Sequence, residues 1–148
     1  MDDAAVSEYI TGTFDGVETV TANGDTFFFY DPTKMMPFAT LVRSNFNDAA
    51  SDLDRPGVYR LNVGVSKATF TGLFGERPAL PDDAEAPTES PYDFAALDTL
   101  LPHPVYGRMY WVCILNPSAA TFEATIQPLL AEAYATAVRK NDRRAARG

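Results

Sequence analysis

The feature that most constrains this chain is the run Arg108-Met109-Tyr110-Trp111-Val112-Cys113-Ile114-Leu115. Its β-prone composition predicts a strand. Met109, Trp111, Cys113 and Leu115 would share one face, and Tyr110, Val112 and Ile114 the other. A strand that is apolar on both sides is covered on both sides. The chain must therefore build a layer over each face of its sheet. Phe27-Phe28-Phe29 carries the same demand. Residues 92–106, or a second subunit in a homodimer, are the candidates for the second cover.

The remaining elements follow from local pattern. Residues 3–13 place Val6, Tyr9, Ile10 and Thr13 at helical spacing behind Asp2 or Asp3 as N-cap. Val17–Ala22 and Thr26–Tyr30 flank Asn23-Gly24. That pair supplies the two positive φ angles of a type I′ hairpin. Pro37–Arg43 and Val58–Val65 are further strands, and the polar stretch 44–57 connects them. Ser66 caps a helix from Lys67 to Phe74, stopped by Gly75. Tyr92–Leu101 predicts a short helix capped near Asp93. Asn116-Pro117-Ser118 opens a helical segment that Pro128 breaks or kinks, with a final helix at 128–140. The order is α-β-β-β-β-α-β-α. The fold class is α+β, an antiparallel sheet of about five strands with helices packed on one face.

The 148 residues make a single domain. Residues 76–91, with four prolines, five acids and no aromatic, predict a flexible acidic loop. Residues 141–148 predict a frayed basic tail. Net charge is −8. Five of the twelve basic residues lie at 139–147, which leaves residues 1–138 with seven basic against nineteen acidic side chains, a net of −12. Such a body repels phosphate backbones, so nucleic acid is a disfavoured partner. The start of the chain shows no leader pattern, and no apolar run reaches the ~20 residues of a membrane span. With one cysteine and no disulfide framework, a cytoplasmic location is expected.

The C-terminal third carries a resemblance. His103, then Tyr110-Trp111-Val112, then Leu129-Leu130-Ala131-Glu132-Ala133-Tyr134 through Val138 resemble the MmcQ/YjbR-like proteins, small bacterial domains of antiparallel sheet plus helices. Thr26-Phe27-Phe28-Phe29-Tyr30-Asp31 and Arg60-Leu61-Asn62-Val63-Gly64-Val65 resemble a bacterial family of unknown function. The first resemblance implies a YjbR-like fold. It also implies a shape like DNA-binding double wings and a likeness to frataxin-type iron-binding proteins. A DNA role needs a basic face, which this body lacks. An iron role needs a clustered acidic helix, and the first helix offers Asp2, Asp3 and Glu8. The resemblance carries over no catalytic residue.

The residues themselves offer one candidate base. His103 is the single histidine, held between Pro102 and Pro104. It is either a base or ligand donor, or a structural histidine capping its loop. Cys113 reads as a buried core thiol. One His and one buried Cys make no zinc site, so no metal or other cofactor is expected. Asp48, Asp52 and Asp54 lack the central Gly and terminal Glu of a calcium loop. Arg60 and Asn62 alternate onto the face opposite Tyr59, Leu61 and Val63. There they join His103, Tyr106 and Trp111 as candidate binding residues in a mostly apolar pocket, unless Arg60 is consumed by an acid. The leading expectation is a non-enzymatic domain that binds a small molecule or a protein. The alternatives are a small hydrolase or isomerase with His103 as general base, and nucleic-acid binding through the basic tail.

Overall fold

The computed structural model describes residues 1–32, 34–75 and 92–147. The acidic loop expected at 76–91 lies outside them. Helix α1 (Asp3–Thr13) starts where the Asp2 carboxylate accepts the Ala5 N–H at 2.8 Å. Strands β1 (Glu18–Ala22) and β2 (Asp25–Phe29) pair across Asn23-Gly24, whose φ angles of 54° and 82° are the predicted turn. Strands β3 (Ala39–Val42) and β4 (Arg60–Gly64) follow, then α2 (Lys67–Phe74), capped by Ser66 and ended at Gly75 with φ 89°. Strand β5 (Leu101–Pro102) is a two-residue addition to the five strands expected. Strand β6 (Trp111–Leu115) precedes α3 (Ala119–Thr121) and α4 (Gln127–Arg147).

The six strands form one antiparallel sheet in the order β1-β2-β3-β4-β6-β5. The register sorts the side chains by period two. Leu41 faces Leu61, which faces Ile114, and Ala39 faces Val63, which faces Val112. These pack with Phe28 against Val6 and Ile10 of α1, Phe70 of α2, and Ile126, Leu130 and Ala133 of the C-terminal helical segment. This is the main core, and it carries the helices on one face as expected.

The opposite face holds Thr40 beside Asn62 beside Cys113, Val42 beside Arg60 beside Leu115, and Gly64 beside Trp111. The chain covers this face itself. Leu53 packs on Val42 and Leu115, while Phe94 and Leu101 pack on Cys113. Residues 92–106 thus supply part of the cover, and the stretch 44–57 supplies the rest. That stretch is a connection, but its Asp48, Ser51 and Leu53 are buried. The expected helix over 92–101 does not form. Instead Asp93 accepts the Ala95 N–H, Asp98 adopts a left-handed φ of 54°, and Leu97 bridges to Leu115. An Asx turn lets Phe94 reach the sheet, which an isolated short helix would not repay.

Two other boundaries moved. Arg108 and Met109 belong to a 3-10 turn (Gly107–Met109), ended by Tyr110 in the left-handed region at φ 67°, so the strand begins at Trp111. Pro128 does not break the C-terminal helix. A π turn over Phe122–Ile126 precedes it, in which the Gln127 N–H reaches back to the Phe122 carbonyl. A widened turn just ahead of a residue that lacks its own N–H keeps the axis continuous. The helix then continues beyond residue 140 to Arg147, with Arg144 reaching the Asp31 carboxylate.

Candidate functional site

The second sheet face carries a polar network set in an apolar surround. Arg60 projects from β4 and is 1% exposed. Four of its five N–H groups have oxygen acceptors. Nε donates to Asn62 Oδ1 at 3.0 Å, Nη1 to Asp48 Oδ1 at 3.0 Å and to Ser51 Oγ at 2.9 Å, and Nη2 to Asp48 Oδ2 at 2.8 Å. This is a two-pronged arginine–carboxylate pair in the interior. Burial alone would raise the Asp48 carboxyl, but the hydrogen bonds and charge of Arg60 hold it below its ordinary value. Asn62 passes the network on, donating from Nδ2 to Thr40 Oγ1 at 2.9 Å.

His103 closes the network from the loop after β5. Its Nδ1 accepts the backbone N–H groups of Val105 at 3.0 Å and Tyr106 at 2.9 Å. Its Nε2 stands 3.5 Å from Arg60 Nη2. Burial, and then the charge of Arg60, push the imidazole down to about 3, with Asp48 pulling weakly the other way. The ring is therefore neutral at pH 7. Two amides occupy the Nδ1 lone pair, so the proton sits on Nε2.

Above the network lies a pocket of about 360 Å³. Thr40, Arg60, Asn62 and His103 line its polar side; Phe27, Val42, Tyr106 and Trp111 line the apolar side, and Met36 and Met109 are half or more exposed at its edge. Trp111 is fixed from below, because a Cβ at Gly64 would lie 3.0 Å from its indole. A side chain at this position would push the ring outward by a few tenths of an ångström.

The structure brings together all five residues named from sequence, Arg60, Asn62, His103, Tyr106 and Trp111, along one pocket. Sequence reasoning missed Asp48, Ser51 and Thr40. Thr40 was legible as the residue on β3 whose side chain alternates away from Leu41. Asp48 and Ser51 carried no local signal. The three carboxylates that lack a calcium-loop pattern diverge in the fold: Asp48 binds Arg60, Asp54 accepts the Asn45 N–H, and Asp52 sits at a left-handed turn. No group of three His, Cys, Asp or Glu side chains among the described residues is arranged to hold a metal ion. Asp2 caps α1 and Asp3 pairs with Arg43, so the first helix does not present the acidic cluster an iron site needs.

Cys113 is buried beneath Phe94 and Leu101, and burial pushes its thiol up to about 12. A thiol held protonated and out of solvent does not react. In the native protein, labelling by a disulfide reagent at pH 8 should proceed no faster than unfolding opens the core. Stoichiometric labelling within seconds without denaturant would show the second face to be open.

No helix among the described residues is long and apolar enough to cross a membrane. No curated protein and no solved structure matches the chain. One family profile matches residues 1–146. That match spans almost the whole sequence, and the chain therefore belongs to DUF6194, a family of unknown function.

Proposed function

We propose that this is a non-enzymatic domain that binds a small molecule in the pocket over the second sheet face. The carrying observation is the pocket itself, with aromatic and methionine walls above a fixed polar floor. Mostly apolar cavities of this size with a few converging polar groups are the usual form of a ligand site. His103 supports binding over catalysis. A base must accept a proton near the working pH. This imidazole has Nδ1 occupied by two amides and faces a guanidinium with its other nitrogen. The kinship to MmcQ/YjbR-like proteins belongs to the same proposal. The antiparallel sheet followed by a long C-terminal helix supports it.

Trp111 is the single tryptophan, so its indole Nε1–H gives one resonance at the pocket wall. Screening a fragment library at about 1 mM, where small ligands first register, should yield compounds that shift this resonance and raise Tm. Tyr106→Ala should weaken them about tenfold by removing a wall. If no compound moves either signal, or if the resonance instead shifts with protein concentration as copies associate, the small-molecule reading fails.

A further inference from the structure

The polar floor has hydrogens left over. Among the described residues no buried side-chain nitrogen or oxygen lacks a partner. Counting hydrogens rather than atoms gives a different picture. Asn62 Nδ2 carries two and spends one on Thr40. Thr40 Oγ1 receives that bond, and its own hydroxyl hydrogen meets no acceptor among the described residues. The proton of His103 is on Nε2, because Nδ1 accepts two amides. Nε2–H and an Arg60 N–H therefore confront each other at 3.5 Å, donor against donor. The acceptors beside these donors are already engaged: Asp48 Oδ1 takes both Arg60 and the Ala50 N–H, Oδ2 takes Arg60, and Asn62 Oδ1 takes Arg60 Nε. Asn62 and His103 are buried, so a donor of theirs without an acceptor is costly to leave unmet.

These donors belong to residues that line the pocket. We propose that the pocket's ligand is an uncharged ring molecule carrying one or two carbonyl-type oxygens, seated with those oxygens toward Thr40, Asn62 and His103. The inference rests on the small-molecule reading above and specifies its chemistry. Donors without acceptors select for oxygen acceptors on the ligand, and a ligand lacking them leaves the site unsatisfied. The ligand is uncharged because Asp48 already neutralises Arg60 in a two-pronged pair, and the surrounding body is strongly acidic. An added buried carboxylate would have no counter-charge of its own. The ring follows from Phe27, Tyr106 and Trp111, whose faces and edges reward a flat apolar partner.

Three probes of one shape test this: indane, 1-indanone and indane-1-carboxylate, titrated into the full chain at pH 7 against the Trp111 indole resonance. 1-Indanone should bind about tenfold more tightly than indane, the worth of one or two hydrogen bonds made to otherwise unpaired donors. Its binding should also move the His103 Nε2–H proton downfield. Thr40→Val should narrow the indanone-to-indane ratio. Equal affinity for indane and indanone would overturn the acceptor inference and leave the pocket reading standing. Tightest binding by the carboxylate would overturn the uncharged class alone. If none of the three binds while the fragment screen yields binders, this inference fails by itself. Silence from both removes the pocket reading as well.

Discussion

Arg60→Met should cost about 3–5 kcal/mol of folding stability, the cost of stranding one partner of a buried ion pair. The substitution keeps much of the side-chain length but leaves the Asp48 carboxylate with the Ala50 N–H as its remaining partner among the described residues. Ser51 Oγ and Asn62 Oδ1 lose partners in the same step. Against a total of about 5–15 kcal/mol for an ordinary domain, this is a large fraction. It should appear as a fall in Tm of about 10 °C or more. Arg60→Met combined with Asp48→Leu should recover part of the loss, because an apolar pair needs no compensation in the interior. Urea unfolding of the two single variants and the double variant gives the coupling. A single-variant loss below about 1 kcal/mol would mean that the pair is solvated and holds little together.

The protein should lose stability as pH falls from 7 to 5, and His103 should account for most of it. The unfolded imidazole takes its proton near 6.5, whereas burial and Arg60 delay protonation in the folded state to about 3. Below 6.5 the unfolded state therefore binds a proton that the native state does not, so stability falls with falling pH. The slope is about 1.4 kcal/mol per pH unit, or about 2 kcal/mol between pH 6.5 and 5. Above 6.5 neither state is protonated and the contribution is flat. His103 is the single histidine, so few other groups titrate in this window. Asp48, with its lowered carboxyl, adds loss in the same direction at more acid pH, as its native carboxylate resists protonation and the unfolded one does not. His103→Asn retains an acceptor for the Val105 and Tyr106 amides and removes the titration. Urea unfolding at pH 7 and pH 5 should therefore show a smaller pH-dependence in the variant, by about 2 kcal/mol. Equal dependence in both would show that His103 is solvated in the folded state.

Much of the sheet was legible because its signals are local. Asn23-Gly24 fixed a turn, and alternation from Tyr59 to Val65 sorted Leu61 and Val63 from Arg60 and Asn62. The both-sides apolar run at 111–115 required a second cover, and the chain provides one. Its maker was only half legible. Residues 44–57 look like a polar connection because Asp48 and Ser51 are polar. They are buried only because Arg60, on a strand formed later in the chain, accepts their company. Such pairing is set by tertiary position and leaves no trace in spacing. The lost helix at 92–101 has the same origin, since Phe94 gains more from Cys113 and Leu101 than its segment would gain from one helical turn. The pocket residues were readable as a group, but not which of their hydrogens the fold would leave over.

The two edges of the sheet are unlike. At one, Leu101 and Pro102 are buried, and Pro102 has no N–H to offer a further strand. At the other, all five residues of β1 are exposed, with Glu18 as the sole charge along it. Among the described residues, β1 is therefore the edge fitted to take a strand from another molecule. Two copies joined β1 to β1 would each present a closed edge outward. Such growth ends at a pair instead of running on into a fibre.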